Sequence, residues 1–117
     1  EEGYLRGRGR RLVDSIKSGA YKLSALEIEE VFRNHEDVDQ VAVVGIVDEA
    51  WGEAAVAAVV LRRQIEPDTL RSWSKQYLSA YKVPRRVVAV ASLPRNALGK
   101  VQKPALRRAL QAELEEG

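Results

Sequence analysis

The 117-residue chain contains no cysteine, no methionine and a single histidine, His35. Without cysteine it can form no disulfide and no thiolate metal site, and one histidine excludes a multi-histidine metal centre. A cysteine-free composition also fits a reducing compartment, so a cytoplasmic location is expected. The lack of methionine extends to the first residue, for the chain opens on Glu1-Glu2-Gly3-Tyr4; a piece excised from a longer protein is expected. No apolar run approaches the roughly 20 residues of a membrane-spanning helix, and nothing ahead of residue 9 reads as a signal peptide. Internal repeats and low-complexity tracts are missing too. With 19 Lys+Arg against 17 Asp+Glu the net charge is only +2, too balanced for a binding mode driven by charge alone.

What remains is an ordinary globular composition, 45% hydrophobic and 31% charged, in a chain long enough for one domain with a modest core. Ser24 followed by Glu27 forms a capping box. It opens a helix that should run to about Asn34 or His35, with Leu26, Ile28, Val31 and Phe32 roughly on one face. The run from Val41 to Val47 is β-branched and apolar, as a buried strand would be, and Ala54 to Leu61 is a second such run. The turn-rich link from Asp48 to Glu53, which holds Trp51 and Gly52, makes them an antiparallel pair. Pro67 and Asp68 suit the start of a second helix, whose apolar stripe would be Leu70, Trp73, Tyr77, Leu78 and Tyr81, ending before Pro84. Val87 to Ala91 is a third strand. Pro104 opens the last helix, with Leu106, Leu110 and Leu114 spaced by four. The fold class is α+β: a small sheet of about three strands packed on helices, with an N-terminal hairpin or extended arm.

Two segments carry chemistry. Leu93-Pro94-Arg95-Asn96-Ala97-Leu98-Gly99-Lys100-Val101-Gln102-Lys103 is a short loop that places a lysine directly after a glycine. Glycine frees the backbone to approach a ligand, and lysine presents a compact positive charge suited to phosphate or carboxylate. The second segment is Gly9-Arg10-Arg11-Leu12-Val13-Asp14-Ser15-Ile16-Lys17-Ser18-Gly19-Ala20-Tyr21-Lys22-Leu23-Ser24-Ala25-Leu26-Glu27-Ile28-Glu29. Its Ser-Gly-small step has no bulky side chain to block a close approach.

Taken together and in this order, the two segments resemble the C-terminal domain of the adenylate-forming, AMP-binding superfamily. That superfamily includes acyl-CoA synthetases, peptide-synthetase adenylation domains and luciferases. The order helix, hairpin, helix, strand, helix is the one the resemblance implies. It further implies an AMP-forming acid–CoA ligase of fatty acid metabolism, using ATP, coenzyme A and Mg2+. Residues 1–13 would be a hinge-proximal arm and residues 14–117 a mobile lid domain. A large N-terminal adenylation domain, absent here, would bind most of the ATP and the small carboxylic acid.

By the same resemblance Lys100 is the adenylation lysine and Gly19 lines the coenzyme A tunnel, with Ser18, Ala20 and Tyr21 beside it. Ala20 stands where the family more often has a second glycine. Arg10 matches an arginine near the nucleotide ribose and phosphate, or is a solvated charge. The hinge falls at Arg11 and Leu12, and an apolar Leu12 departs from the usual Asp, Lys or Ser. Lys17 and Lys22 either meet coenzyme A phosphates or are surface charges. Domain alternation would present first the Lys100 loop and then the Gly19 loop to one site. The Ile16 to Glu29 stretch looks closest to the branch holding malonyl-CoA and short- or medium-chain acyl-CoA synthetases.

Two other readings stand beside this one. An adenylation domain that loads a carrier protein would use the same glycine loop. A basic nucleic-acid-binding module would use Arg6, Arg8, Arg10 and Arg11, but Tyr4 is the one aromatic near them and no recognition fingerprint accompanies them, so no nucleic-acid partner is expected. Glu27 reads as a cap partner, Trp51 and Gly52 as turn residues, and His35 as a polar helix end.

Overall fold

The computed structural model describes residues 15–18, 21–48 and 52–116. The arm expected across residues 1–13 lies outside them. Strand β1 (Ser15–Ser18) and strand β2 (Tyr21–Ser24) form an antiparallel hairpin. Helix α1 (Ala25–Arg33) follows at once, then strand β3 (Val38–Asp48) and strand β4 (Gly52–Leu61). Helix α2 (Pro67–Ser74), a 3-10 turn (Ala80–Lys82), strand β5 (Arg86–Ala89) and helix α3 (Lys103–Glu116) complete the order.

The body of the sheet is the expected three strands. β4 is its centre, antiparallel to β3 from Gln40↔Val60 to Asp48↔Gly52 and parallel to β5 from Val56↔Arg86 to Val59↔Ala89. The β1–β2 hairpin attaches at the far end of β4 through Ser18↔Gly52. Gly52 takes φ +84°, a left-handed conformation that favours glycine at this strand entry. The parallel β4–β5 pairing is possible because α2 lies between the two strands in the chain and carries it back across the sheet.

β3 and β4 read as continuous apolar runs because both faces of the sheet are covered. On one face Val41, Val43, Ala55, Ala57 and Val59 pack with Ile28 and Phe32 of α1 and Leu70 of α2. On the other, Ala42, Val44, Ile46, Val56 and Ala58 pack with Leu93 and with Leu106 and Leu110 of α3. Among the described residues no strand pairs with the outer edge of β3, and side chains from both layers meet it instead. The Val43 N–H donates to Glu29 Oε2 at 2.8 Å and the Val47 N–H to Gln111 Oε1 at 3.3 Å. Such covering occupies backbone groups that would otherwise template another strand.

Two expectations are corrected. The buried face of α1 is Ala25, Ile28, Glu29 and Phe32, the i, i+3, i+4, i+7 stripe of an amphipathic helix. Leu26 is 56% exposed, because that stripe turns it to solvent. The cap itself is as expected, the Glu27 N–H donating to Ser24 Oγ at 3.3 Å, but the Glu27 carboxylate pairs with Lys82 Nζ at 2.9 Å. Helix α2 also ends earlier, at Ser74 rather than near Tyr81. The Ser74 hydroxyl donates to the Arg71 carbonyl at 2.7 Å, and the amides of Gln76 and Tyr77 bond to the carbonyls three residues back, tightening the chain out of the α geometry. Leu78 is still buried, while Tyr77 and Tyr81 are exposed. His35 is the polar helix end anticipated: its Nδ1 accepts the Asp37 N–H at 3.0 Å and its ring meets Trp73 edge-on.

Candidate functional site

The Lys100 loop is ordered by its own sequence. Asn96 Oδ1 accepts the N–H groups of Leu98 at 2.9 Å and Lys100 at 3.0 Å. The Asn96 backbone closes the same turn, its carbonyl accepting from Gly99 and its N–H donating to the Lys100 carbonyl. A side chain that bonds the backbone two to four residues on is the usual reason asparagine is found in turns. Arg95 and Val101 form an isolated antiparallel bridge at the neck, and Gln102 N–H donates to the Pro94 carbonyl.

Gly99 is where this turn needs glycine, with φ +87°. A Cβ placed there would have no atom within 4 Å, so the requirement is one of backbone angle and not of space. Gly99→Ala is therefore expected to cost the loop about 1–2 kcal/mol. Amide hydrogen exchange checks this: the Lys100 N–H should exchange roughly tenfold faster while amides of α1 stay unchanged.

Outside contacts fasten both ends of the loop. The Arg95 guanidinium donates to the Gly99 carbonyl at 2.6 Å and to Gln40 Oε1 of β3 at 2.7 Å. At the other end Lys103 Nζ lies 2.8 Å from Glu29 Oε2. Lys100 itself is exposed, as is Leu98 at the tip, 85% accessible. The result is a stiff projection that carries a cation into solvent, able to meet an anion held by another body.

The glycine loop begins elsewhere. Ser18 and Tyr21 are the inner ends of β1 and β2, and Lys17 faces Lys22 across the ladder; the side chains of these four lie outside the described residues. Gly19 and Ala20 lie outside them altogether, as do Arg10, Arg11 and Leu12. Ser18 is nevertheless fixed against Gly52, beside Asp48 at the hairpin end of β3, whereas Arg95 holds Gln40 at the opposite end. The strand between Gln40 and Asp48 covers about 27 Å at 3.4 Å per residue. Ser18 and Arg95 are thus anchored at opposite ends of one ladder, while the Lys103 end of the lysine loop meets Val43 through Glu29.

Residues 27–100 match the family model described as the AMP-binding enzyme C-terminal domain. The chain belongs to this family. Relatives carry the same domain at the scale of whole enzymes. Human malonate–CoA ligase, named as mitochondrial, is 43% identical over 103 residues, 86% of this chain and 18% of the relative. The fatty acyl-CoA synthetase of Mycobacterium tuberculosis superposes with a TM-score of 0.83 at 36% identity, covering 88% of this chain and 21% of that one. ATP-bound MatB from Rhodopseudomonas palustris gives 0.80 at 30% identity, covering 85% and 20%. The chain spans about a fifth of the length of these proteins.

Membership accounts for the α+β architecture, and it leaves several residues around the Lys100 loop without a sequence-level forecast. Glu29, Gln40, Arg95, Asn96 and Lys103 hold the loop, and sequence reasoning gives none of them that role. Asn96 had a legible signal, an asparagine three residues before the turn glycine. Glu29 had a weaker one, since the stripe Ala25, Ile28, Phe32 passes through it. Among the described residues no group of three or more His, Cys, Asp or Glu could hold a metal ion, and no helix is long and apolar enough to cross a membrane.

Proposed function

We propose that this domain is the mobile lid of an ATP-dependent acyl-CoA synthetase, acting with a large N-terminal domain of the same protein. The observation that supports this most is the separation of Ser18 and Arg95 along β3 and β4. Loops starting from Ser18 and Arg95 would reach one site in turn, by rotation of the domain between two steps.

In the first step a carboxylate oxygen of the substrate attacks the α-phosphate of ATP. A P–O bond forms to give the acyl-adenylate as the bond to pyrophosphate breaks. Negative charge builds on the phosphate oxygens, and Lys100, carried in on its stiff loop, would offset it. In the second step the thiol of coenzyme A attacks the acyl carbon, the C–O bond to AMP breaks, and the thiol proton passes to the departing AMP phosphate or to water, leaving the thioester. The passage for the pantetheine arm would run past Ser18, Gly19, Ala20 and Tyr21, with Lys17 and Lys22 near its phosphates. Arg10 would contact the nucleotide, and Arg11 and Leu12 would be the pivot. Mg2+ would be held with the ATP phosphates mainly by the N-terminal domain. A cytoplasmic location belongs to the same reading and rests on the cysteine-free composition.

The acyl pocket would lie in the N-terminal domain, so the acid comes from likeness. Malonate and short- to medium-chain acids head the panel, on the likeness to the malonate–CoA ligase and the fatty acyl-CoA synthetase. Pyrophosphate exchange on the full-length protein with that panel tests the reading. Exchange with at least one acid is expected, and exchange with none would sink it. Gly19→Leu should leave exchange intact while lowering thioester formation from supplied acyl-adenylate by about a hundredfold, by blocking the approach of the thiol.

A further inference from the structure

The loop's hold on the rest of the domain passes through one buried carboxylate. Glu29 is 6% exposed, and its Oε2 accepts from the Val43 N–H and from Lys103 Nζ, each at 2.8 Å. Val43 belongs to the outer edge of β3, Glu29 to the helical layer on one face, and Lys103 to the first residue of α3 on the other. A single oxygen therefore joins both layers across the sheet edge. Lys103 lies three residues beyond Lys100, so the same contact fixes where the lysine loop ends and α3 begins. The start of the loop is held by a more exposed contact, Arg95 to Gln40.

We infer that Glu29 is a positioning residue for Lys100: through Lys103 it fixes the attitude of the lysine loop relative to the sheet. This rests on the adenylation reading above. A carboxylate is suited to the task because it accepts from both donors at once with full charge toward the ammonium. Burying it is tolerable only because both contacts are made. A lysine side chain alone has too many rotatable bonds to set its own position within the tolerance a transition state requires, so the frame beneath it must be held.

Glu29→Gln keeps an oxygen for the Val43 N–H and removes the charge facing Lys103, so the fold should survive. In the full-length protein this variant should lower adenylation, measured by pyrophosphate exchange, about tenfold in kcat with KM for ATP nearly unchanged. Thioester formation from supplied acyl-adenylate should stay within about twofold of wild type, because that step uses the other end of the domain. Lys103→Arg, which retains a cation for the carboxylate, should restore most of the exchange relative to Lys103→Met. A purely structural role would depress both half-reactions by the same factor, and that result, or no change in either, overturns the proposal. If Glu29→Gln fails to fold, Lys103→Met, which removes the loop-end partner of Glu29, takes its place: loss of exchange alone supports the proposal, and equal loss in both steps or no change overturns it. Wild-type protein without any exchange would instead count against the synthetase reading itself, and Lys100→Ala serves as the internal standard for loss of the lysine.

Discussion

Lys100→Ala should reduce adenylation by about 10²–10³-fold, the usual effect of removing one preorganised charge-stabilising donor from a polar transition state. Asn96 and the Arg95–Val101 bridge close the turn, Gly99 supplies the one left-handed angle, and the ends are fastened to Gln40 and Glu29. All that order serves to present one exposed cation whose loop is fixed before any ligand arrives. A group prepared in this way costs little reorganisation when charge develops, so its removal acts on kcat more than on KM. Pyrophosphate exchange in the full-length protein should fall accordingly, while thioester formation from supplied acyl-adenylate continues near the wild-type rate. Equal loss in both half-reactions would mean that the lysine supports the fold and not the first step. Lys100→Arg should recover only part of the activity, since a planar fork does not reproduce a compact ammonium.

Phe32→Ala is expected to produce the largest loss of stability, about 3–5 kcal/mol. Phe32 is fully buried on the inner face of α1 and belongs to the cluster that includes Ile28, Val41, Val43, Val59 and Leu70. Its ring lies 6.4 Å from that of Trp73, so it joins α1 to α2 as well as to the sheet. Neither helix can collapse into the space left behind, because α1 is held at the β3 edge by Glu29 and α2 is tied by Arg71 to the Pro84 carbonyl. A small domain has roughly 5–15 kcal/mol in all, so the variant should be partly unfolded at physiological temperature. Urea unfolding of the 117-residue chain, followed by tryptophan fluorescence, measures it. A shift below about 1 kcal/mol would show that the core around Trp73 is looser than its geometry indicates.

Much of this was legible in the linear pattern. The apolar runs that became β3 and β4, the capping box at Ser24, the proline at the start of α2 and the leucines of α3 are local signals. Each is set by neighbours within about a turn or a strand step. Family membership followed from two motifs in order. The misreadings have a common source, a face assigned from hydrophobicity alone. That rule puts Leu26 inside and leaves Glu29 off the buried face, because leucine is apolar and glutamate charged. Ile28 and Phe32 face inward as expected, and the stripe they form with Ala25 carries Glu29 inward with them, where the Val43 N–H and Lys103 meet its carboxylate. Tyr77 and Tyr81 extend α2 for the same reason, although the chain has already turned at Ser74.

The sequence by itself determined where α1, β3, β4, β5 and α3 lie, that β3 and β4 form a hairpin, and that a glycine–lysine turn follows them, but not the β1–β2 hairpin or the end of α2. Those are choices made over a few residues, where propensity and periodicity act. Only the tertiary structure decided that β5 runs parallel to β4. It also decided that Arg95 reaches Gln40 across 55 residues of chain and that Glu29 clasps both layers at the sheet edge. The pairing of Ser18 with Gly52, at the end of the ladder away from Gln40, belongs with these. Such features depend on which distant groups meet once the core has closed, and a buried carboxylate is tolerable only where that meeting supplies its partners.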